Sequence, residues 1–287
     1  MSHLSAQGTG RRKGRLERRP AMPVAITVLF FAWMYLPIAA VVLFSFNNRK
    51  SLASFTGFST RWYVDFFHDE TLIRSLTASL TIAAIAAVGA LVLGTMLALG
   101  LERVTSRPGR AIGAATLLPL VTPEIVTGVA ALLFFTGLGL KLSLLTVTIA
   151  EITFSIAYVT VIVRGRLSAM APEVEEAARD LGCSPWQSVR LVTLPTLLPA
   201  LIGAGLLVFA LVFDDFVLAF FTTGVDPQPL PVRIYSSIRF GVSPAINAVG
   251  TLMLGFSALL IVAALLLPRL FHRSSTSLDL LTGGDNR

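Results

Sequence analysis

Apolar residues along the chain gather into six long runs, at roughly 23–45, 75–100, 111–136, 142–163, 199–221 and 247–268. Each is long enough to cross the hydrocarbon core, which takes about 20 residues of helix at about 1.5 Å per residue. None alternates apolar with polar positions, and all exceed the roughly 10 residues of a barrel strand. The pattern therefore predicts an all-α membrane protein of six transmembrane helices rather than a β-barrel. Gly89, Gly94, Gly128, Gly203 and Gly205 inside the runs permit close helix packing, and Pro37, Pro119 and Pro123 mark expected kinks.

Polar residues break the pattern most strongly at 173–199, EVEEAARDLGCSPWQSVRLVTLPTLLP, between the fourth and fifth runs. Residues 172–181 have helix chemistry, with Pro172 in the first turn, then Glu173, Glu175 and Glu176, then Ala177 and Ala178. Gly182 suits the left-handed cap that ends such a helix. Ser184, with Pro185 next and Gln187 three residues on, outlines a capping box for a second short helix. Two short helices joined by a glycine elbow form a rigid projection outside the membrane.

Composition changes the picture little and charge changes it more. The 287 residues are 54% hydrophobic and 14% charged with mean hydropathy +0.77, against about 25% charge in soluble domains. The net charge of +7 and pI near 10.3 would suggest nucleic acid in a soluble protein. Here the rule that Lys and Arg stay on the cytoplasmic side accounts for them, and no nucleic-acid partner is expected. With the N-terminus inside, sixteen Lys and Arg fall on inner segments and seven on outer ones. The chain is thus expected to be N-in and C-in, with a basic cytoplasmic tail at 1–22, a six-helix domain at 23–268 and a cytoplasmic tail at 269–287. Loop 164–199 then faces the cytoplasm. The basic stretch RRKGRLERR at 11–19 precedes an apolar run too long for a signal-peptide core, which makes that run an uncleaved first span.

Chemistry-bearing clusters are scarce. Cys183 is the single cysteine, and His3, His68 and His272 are scattered, so neither a disulfide nor a metal site is expected. The sequence has no G-x-x-x-x-G-K-[S/T] loop and no nucleophile–base pair near a membrane face, so no enzyme activity or cofactor is expected of this chain.

The exception is a set of carboxylates inside the runs: Glu124 in the third, Glu151 in the fourth, Asp214 and Asp215 late in the fifth. An ionised carboxylate at the bilayer centre costs about 2.5–3.5 kcal/mol on insertion scales. Within the spans, only Arg74 at an outer margin carries positive charge. The acids must be protonated, solvated in a cavity, or matched by a partner or a cationic substrate. As neighbours on one helix, Asp214 and Asp215 point about 100° apart, so at most one of them is expected to face a pathway directly. Glu124 follows Pro123, and a broken helix near the midplane is where transport sites form. Each acid also has a plainer reading as a hydrogen-bonded structural residue.

Two outer loops carry weaker signals. Trp62 and Tyr63 suit an interfacial aromatic belt. Ile234, Tyr235, Ile238 and Val242 outline a short amphipathic helix at the outer surface.

The polar stretch also resembles a known element. Glu176-Ala177-Ala178, then Gly182 and Val192-Thr193-Leu194-Pro195, resembles the EAA loop of ABC-importer permease subunits, with valine where isoleucine is usual. Further stretches resemble the spermidine/putrescine (Pot-type) permeases: FSFN at 44–47, GFSTRWY at 57–63, SLTIA at 79–83, PEIV at 123–126, FDDF at 213–216 and GVSPAINA at 241–248. The family usually has Asp where this chain has Glu124.

The resemblance implies a type I ABC importer permease fold, a multi-pass protein of the bacterial inner membrane, and uptake of polyamines. It implies a coupling helix that docks on an ATP-hydrolysing subunit through Glu175, Glu176, Ala177, Ala178, Asp180, Leu181, Gly182, Ser184, Pro185 and Trp186. It also implies two ATP-binding subunits that use ATP and Mg, a second and different permease, and an extracytoplasmic solute-binding protein, besides the surrounding lipid. The expected cargo pathway is lined by Asp214, Asp215, Glu124 and Glu151. Phe213 and Phe216, with Trp33 and Tyr35, are candidates to hold methylene stems or ammonium groups. The alternatives are an ABC permease for a sugar, metal complex or thiamine, and a proton-coupled secondary transporter. The unpaired acids argue against neutral or anionic cargo, and the coupling loop argues against the secondary transporter.

Overall fold

The computed structural model describes residues 21–50, 54–104, 106–170, 172–239, 241 and 243–282. The basic stretch at 11–19, His3, Val242 and the end of the chain lie outside the described residues. Among the described residues the chain is helical, and its one β feature is an isolated bridge between Asn47 and Phe58.

The helices are α1 (Ala21–Ser45), α2 (Arg61–His68), α3 (Glu70–Arg103), α4 (Arg107–Thr116), α5 (Leu118–Val121) and α6 (Glu124–Gly137). After these come α7 (Leu144–Leu167), α8 (Pro172–Asp180), α9 (Pro185–Ser188), α10 (Leu194–Asp214), α11 (Val217–Thr222), α12 (Leu230–Ile238) and α13 (Pro244–Thr282). Five stretches are long and apolar enough to span a membrane, and the bent α4–α6 segment makes a sixth.

The core is the contact of α3 with α7 and α10, closed by α13. Helix α3 can be approached so closely because its buried face carries Ser79, Ala83, Ala86, Ala90, Gly94 and Ala98, at helical spacing. A Cβ at Gly94 would lie 2.7 Å from Val159 Cβ, so α7 seats directly on the α3 backbone there. Thr160 reinforces the contact: its hydroxyl donates to Ile156 O at 2.7 Å and reaches Gly94 O at 3.3 Å. Helix α1 stands apart. Its side chains are exposed over most of its length, and it packs mainly on α13, with the Ser45–Tyr63 hydrogen bond joining its end to α2.

Two spans differ from the continuous helices that the apolar runs predict. The third run is broken: the α4–α5 arm and α6 meet at 108° across Thr122 and Pro123. Proline offers no N–H and pushes its predecessor out of the helical region, and Thr122 is extended with ψ 135°. The fifth run is broken after Asp214. Asp215 is extended with ψ 122°, and α11 starts two residues later. Asp214 and Asp215 are therefore not successive positions of one helix, and the 100° offset does not apply to them.

The helix expected after Ser184 is the first turn of the fifth span. It runs through one π-helical turn, Val189–Thr193, into α10. Pro195 has no N–H to offer, which removes one α-type bond at that point.

Trp62 is not a belt residue. It is 3% exposed, and its indole Nε1 donates to Asn47 O at 2.6 Å. The Tyr63 hydroxyl shares a 2.6 Å hydrogen bond with Ser45 Oγ. Helix α12 packs Leu230 and Val232 inward and leaves Tyr235 and Ile238 exposed. Its first N–H, from Leu230, donates to Ser79 Oγ at 2.8 Å and ties α12 to α3.

Candidate functional site

Both helix breaks open onto one cavity of about 420 Å3. Glu124, the first residue of α6, lies on one side of it. Glu151, in the middle of α7, lies on its wall, and Asp214 and Asp215 enter from the end of α10. All four intramembrane acids thus converge, though they are up to 91 residues apart in sequence. The break after Asp214 is what lets two consecutive aspartates line the same space.

Asp215 has a second role. Its Oδ1 accepts the Val217 N–H at 2.8 Å and the Leu218 N–H at 3.4 Å, so it caps the start of α11. It also shares the cavity lining with Glu124 and Glu151.

Glu151 is 2% exposed, and its Oε1 has no hydrogen-bond partner among the described residues. Ser257 Oγ, from α13 on the same cavity, is likewise unpartnered among them. No Lys or Arg lines the cavity, and none of the five ion pairs among the described residues involves these acids. Four carboxyl groups between apolar walls, without a built-in counter-charge, form a site complementary to a cation. One charge-assisted hydrogen bond to an ammonium contributes about 1.5–3 kcal/mol.

Phe216 lines the cavity, as its place beside the aspartates suggests. Phe213 does not. It is 2% exposed and packs between Phe209 and Phe256, at centroid distances of 6.5 and 5.0 Å. Trp33 and Tyr35 sit on the exposed α1, away from the lining. Sequence reasoning missed Phe154, Ser155 and Tyr158, which lie three, four and seven residues after Glu151 on the same face of α7. The signal was there, since that spacing puts side chains on one helical stripe. The Phe154 and Tyr158 rings meet edge-on at 5.6 Å and give the wall an aromatic patch.

At the other end of the bundle lies the polar loop. Helix α8 ends in two paired backbone bonds, Gly182 N to Arg179 O at 2.8 Å and Cys183 N to Ala178 O at 3.1 Å. This Schellman closure needs a left-handed residue, and Gly182 has φ +87°. The capping box follows as the spacing predicts: Gln187 N donates to Ser184 Oγ at 3.3 Å, and Ser184 N donates to Gln187 Oε1 at 2.8 Å.

Glu175 points back into the protein. Its Oε1 accepts from Arg103 at 3.3 Å and Arg179 at 2.8 Å, which fastens α8 to the end of α3. Ala178 is buried, whereas Glu176, Ala177, Asp180 and Pro185 are exposed. At the tip Leu181 and Trp186 are 87% and 69% exposed, a rigid elbow with an apolar end.

A helical membrane bundle with a polar cavity at broken spans, and a capped elbow projecting from one end, defines a transport subunit. Its fold is the type I ABC importer permease fold. A chain of a bacterial ABC transporter involved in the import of the acidic polysaccharide alginate aligns with TM-score 0.68 at 16% identity, covering 87% of this chain and 94% of that one. A chain of the MetNI methionine ABC transporter aligns with TM-score 0.60 at 20% identity, over 69% and 94%.

The chain belongs to the family described as "binding-protein-dependent transport system inner membrane component", whose model matches residues 90–275. Membership implies ATPase and binding-protein partners and a second permease. Among its relatives, the putrescine transport system permease PotI of Escherichia coli is 39% identical over 81% of this chain and 85% of its own length. The spermidine/putrescine permease PotC of Haemophilus influenzae is 36% identical over 85% and 95%.

Proposed function

We propose that this chain is a permease subunit of an ATP-driven importer that takes up polyamines, putrescine or spermidine, handed over by a solute-binding protein. The observation that carries this reading is the convergence of Glu124, Glu151, Asp214 and Asp215 on one cavity without a lining cation. A linear polyamine presents ammonium groups joined by methylenes. The cavity offers acids for the former and the Phe154, Tyr158 and Phe216 rings for the latter. The names of the relatives point to the same cargo.

In this reading ATP and Mg are bound by two partner ATPase subunits and no cofactor by this chain. The partner permease is a different protein. Closure of the ATPase pair is received at the elbow 175–186, where Leu181 and Trp186 insert into the partner and the Glu175–Arg103 contact passes the motion to α3. The cavity then opens alternately to the two sides of the membrane.

The test is uptake by the intact complex in proteoliposomes. Putrescine and spermidine uptake should require binding protein and internal ATP and should survive collapse of the proton gradient. A neutral diol of putrescine's length should not compete. Competition by the diol, or uptake driven by the proton gradient without ATP, would overturn the proposal.

A further inference from the structure

On the side of the bundle that carries the elbow, a second cavity of about 250 Å3 opens where α3, α4 and α7 leave the membrane. Arg110 and Arg164 line it, with apolar walls from Leu101, Val104 and Leu117. Arg110 forms no ion pair among the described residues. Arg164 has one carboxylate neighbour, Glu102, at 3.9 Å, the outer limit of an ion pair, with both side chains nearly half exposed.

Gly113 forms part of the floor. A Cβ built there would stand 3.6 Å from Arg164 Nη1, so a larger side chain would fill the space that the guanidinium borders. The surroundings are basic: segments 101–117 and 164–167 carry Arg103, Arg107, Arg110, Arg164 and Arg166 against one acid of their own, Glu102, with Arg103 paired to Glu175 of α8. Beside the cavity Ile112, Leu117 and Leu118 are exposed, so the site continues into an apolar surface at the membrane boundary.

We infer that this cavity binds the phosphate of an anionic phospholipid from the cytoplasmic leaflet. Arg110 and Arg164 hold the phosphate oxygens, and Leu101, Val104 and Leu117 take the first methylenes of the acyl chains. Guanidinium groups bind phosphate through paired N–H donors, and basic pockets between helices on the cytoplasmic side suit anionic headgroups. A free phosphate ion would share the arginines but gain nothing from the apolar walls. The bound lipid ties α4, the arm that precedes the 108° bend, to α3 and α7. The site is separate from the acidic cavity and does not depend on the identity of the cargo.

The measurement is lipid retention by the intact transporter complex, purified in mild detergent and offered phosphatidylglycerol against phosphatidylcholine, read by native mass spectrometry. The unmodified complex should prefer phosphatidylglycerol, and Arg110→Gln with Arg164→Gln should cut that preference by about thirtyfold, roughly fivefold for each charge near the surface. Gly113→Leu, which leaves both charges in place, should also lower it by occupying the floor. Should the double variant fail to assemble, the pair Arg110→Lys and Arg164→Lys decides, with an expected partial loss in an assembled complex. Full preference in the assembled variants overturns the inference. So does a site that takes inorganic phosphate at about 10 mM with no preference between the two lipids.

Discussion

Glu151→Gln exchanges one oxygen for an NH2 group and makes the group permanently neutral while keeping the side-chain shape. In the empty cavity, ionised carboxylates about 4 Å apart repel by about 4 kcal/mol at an effective dielectric constant of 20, and by half that at twice the distance. Glu151 already has an unpartnered buried oxygen, so the new amide replaces one unsatisfied group with another, at a cost of about 1–3 kcal/mol where no partner is found. At a pH high enough to ionise Glu151, the balance predicts a cargo-free permease more stable by about 1–2 kcal/mol, a rise of roughly 2–4 °C in unfolding temperature for a chain of this length. Uptake should move the other way. Loss of one charge-assisted contact to an ammonium, about 1.5–3 kcal/mol, lowers cation transport by about ten- to 150-fold. The assays are thermal unfolding in detergent without cargo, and putrescine uptake in proteoliposomes. A structural hydrogen-bonding role gives the reverse pattern. A variant that unfolds at lower temperature and transports normally would refute the electrostatic account.

Other substitutions separate the remaining roles. Asp215→Ala removes the cap of α11 and should unfold below Asp215→Asn by about 1 kcal/mol, since the asparagine is equally neutral but keeps the cap, while both variants slow uptake; equal unfolding temperatures for the two variants would dismiss the capping role. Gly182→Ala places a Cβ at φ +87°, which costs about 1–2 kcal/mol locally, and should lower transport per ATP hydrolysed with membrane insertion unchanged; an unaltered ratio would contradict the elbow reading. Trp186→Ala removes a ring that is 69% exposed and should leave the unfolding temperature within about 1 °C while weakening copurification of the ATPase subunit. Undiminished copurification would mean that the tip is not the contact.

How much the chain announces about itself depends on whether a feature is local. The elbow was legible because a Schellman closure and a capping box are written in four residues, Gly182, Ser184, Pro185 and Gln187, and need no distant partner. The six apolar runs were legible for the same reason. The breaks were only half visible. Pro123 marks the one before Glu124 as a kink but does not fix its 108°. The break at Asp215 carries no proline, and its one local trace is an aspartate placed to cap two N–H groups ahead of it. Phe213 and Phe216 are three residues apart and chemically identical. Only the packing of α13 through Phe256 decides that the first is core and the second faces the cavity. Trp62 shows the same limit, since an interfacial ring and a buried one hydrogen-bonded to Asn47 O read alike in sequence.

The breaks also bear on how the acids are tolerated. A helix N-terminus carries partial positive charge and a C-terminus partial negative charge, so a carboxylate gains about 0.3–1 kcal/mol at the former and loses as much at the latter. Glu124 opens α6, and Asp215 precedes α11, whose first N–H groups it receives. Both acids therefore have part of their cost met by the breaks themselves. Asp214 closes α10, at the unfavourable end, but is exposed to the cavity. Glu151 lies mid-helix and buried, with neither a helix end nor a lining cation beside it. Neutralising the acids one at a time should then give an order in the cargo-free protein: Glu151→Gln the largest gain in stability, Asp214→Asn a smaller gain, Glu124→Gln close to none. Thermal unfolding of the three variants at low ionic strength reads that order directly. A gain at Glu124 that equals the one at Glu151 would mean that the break before α6 does nothing for the charge beside it. The cavity would then owe its acidity to cargo alone.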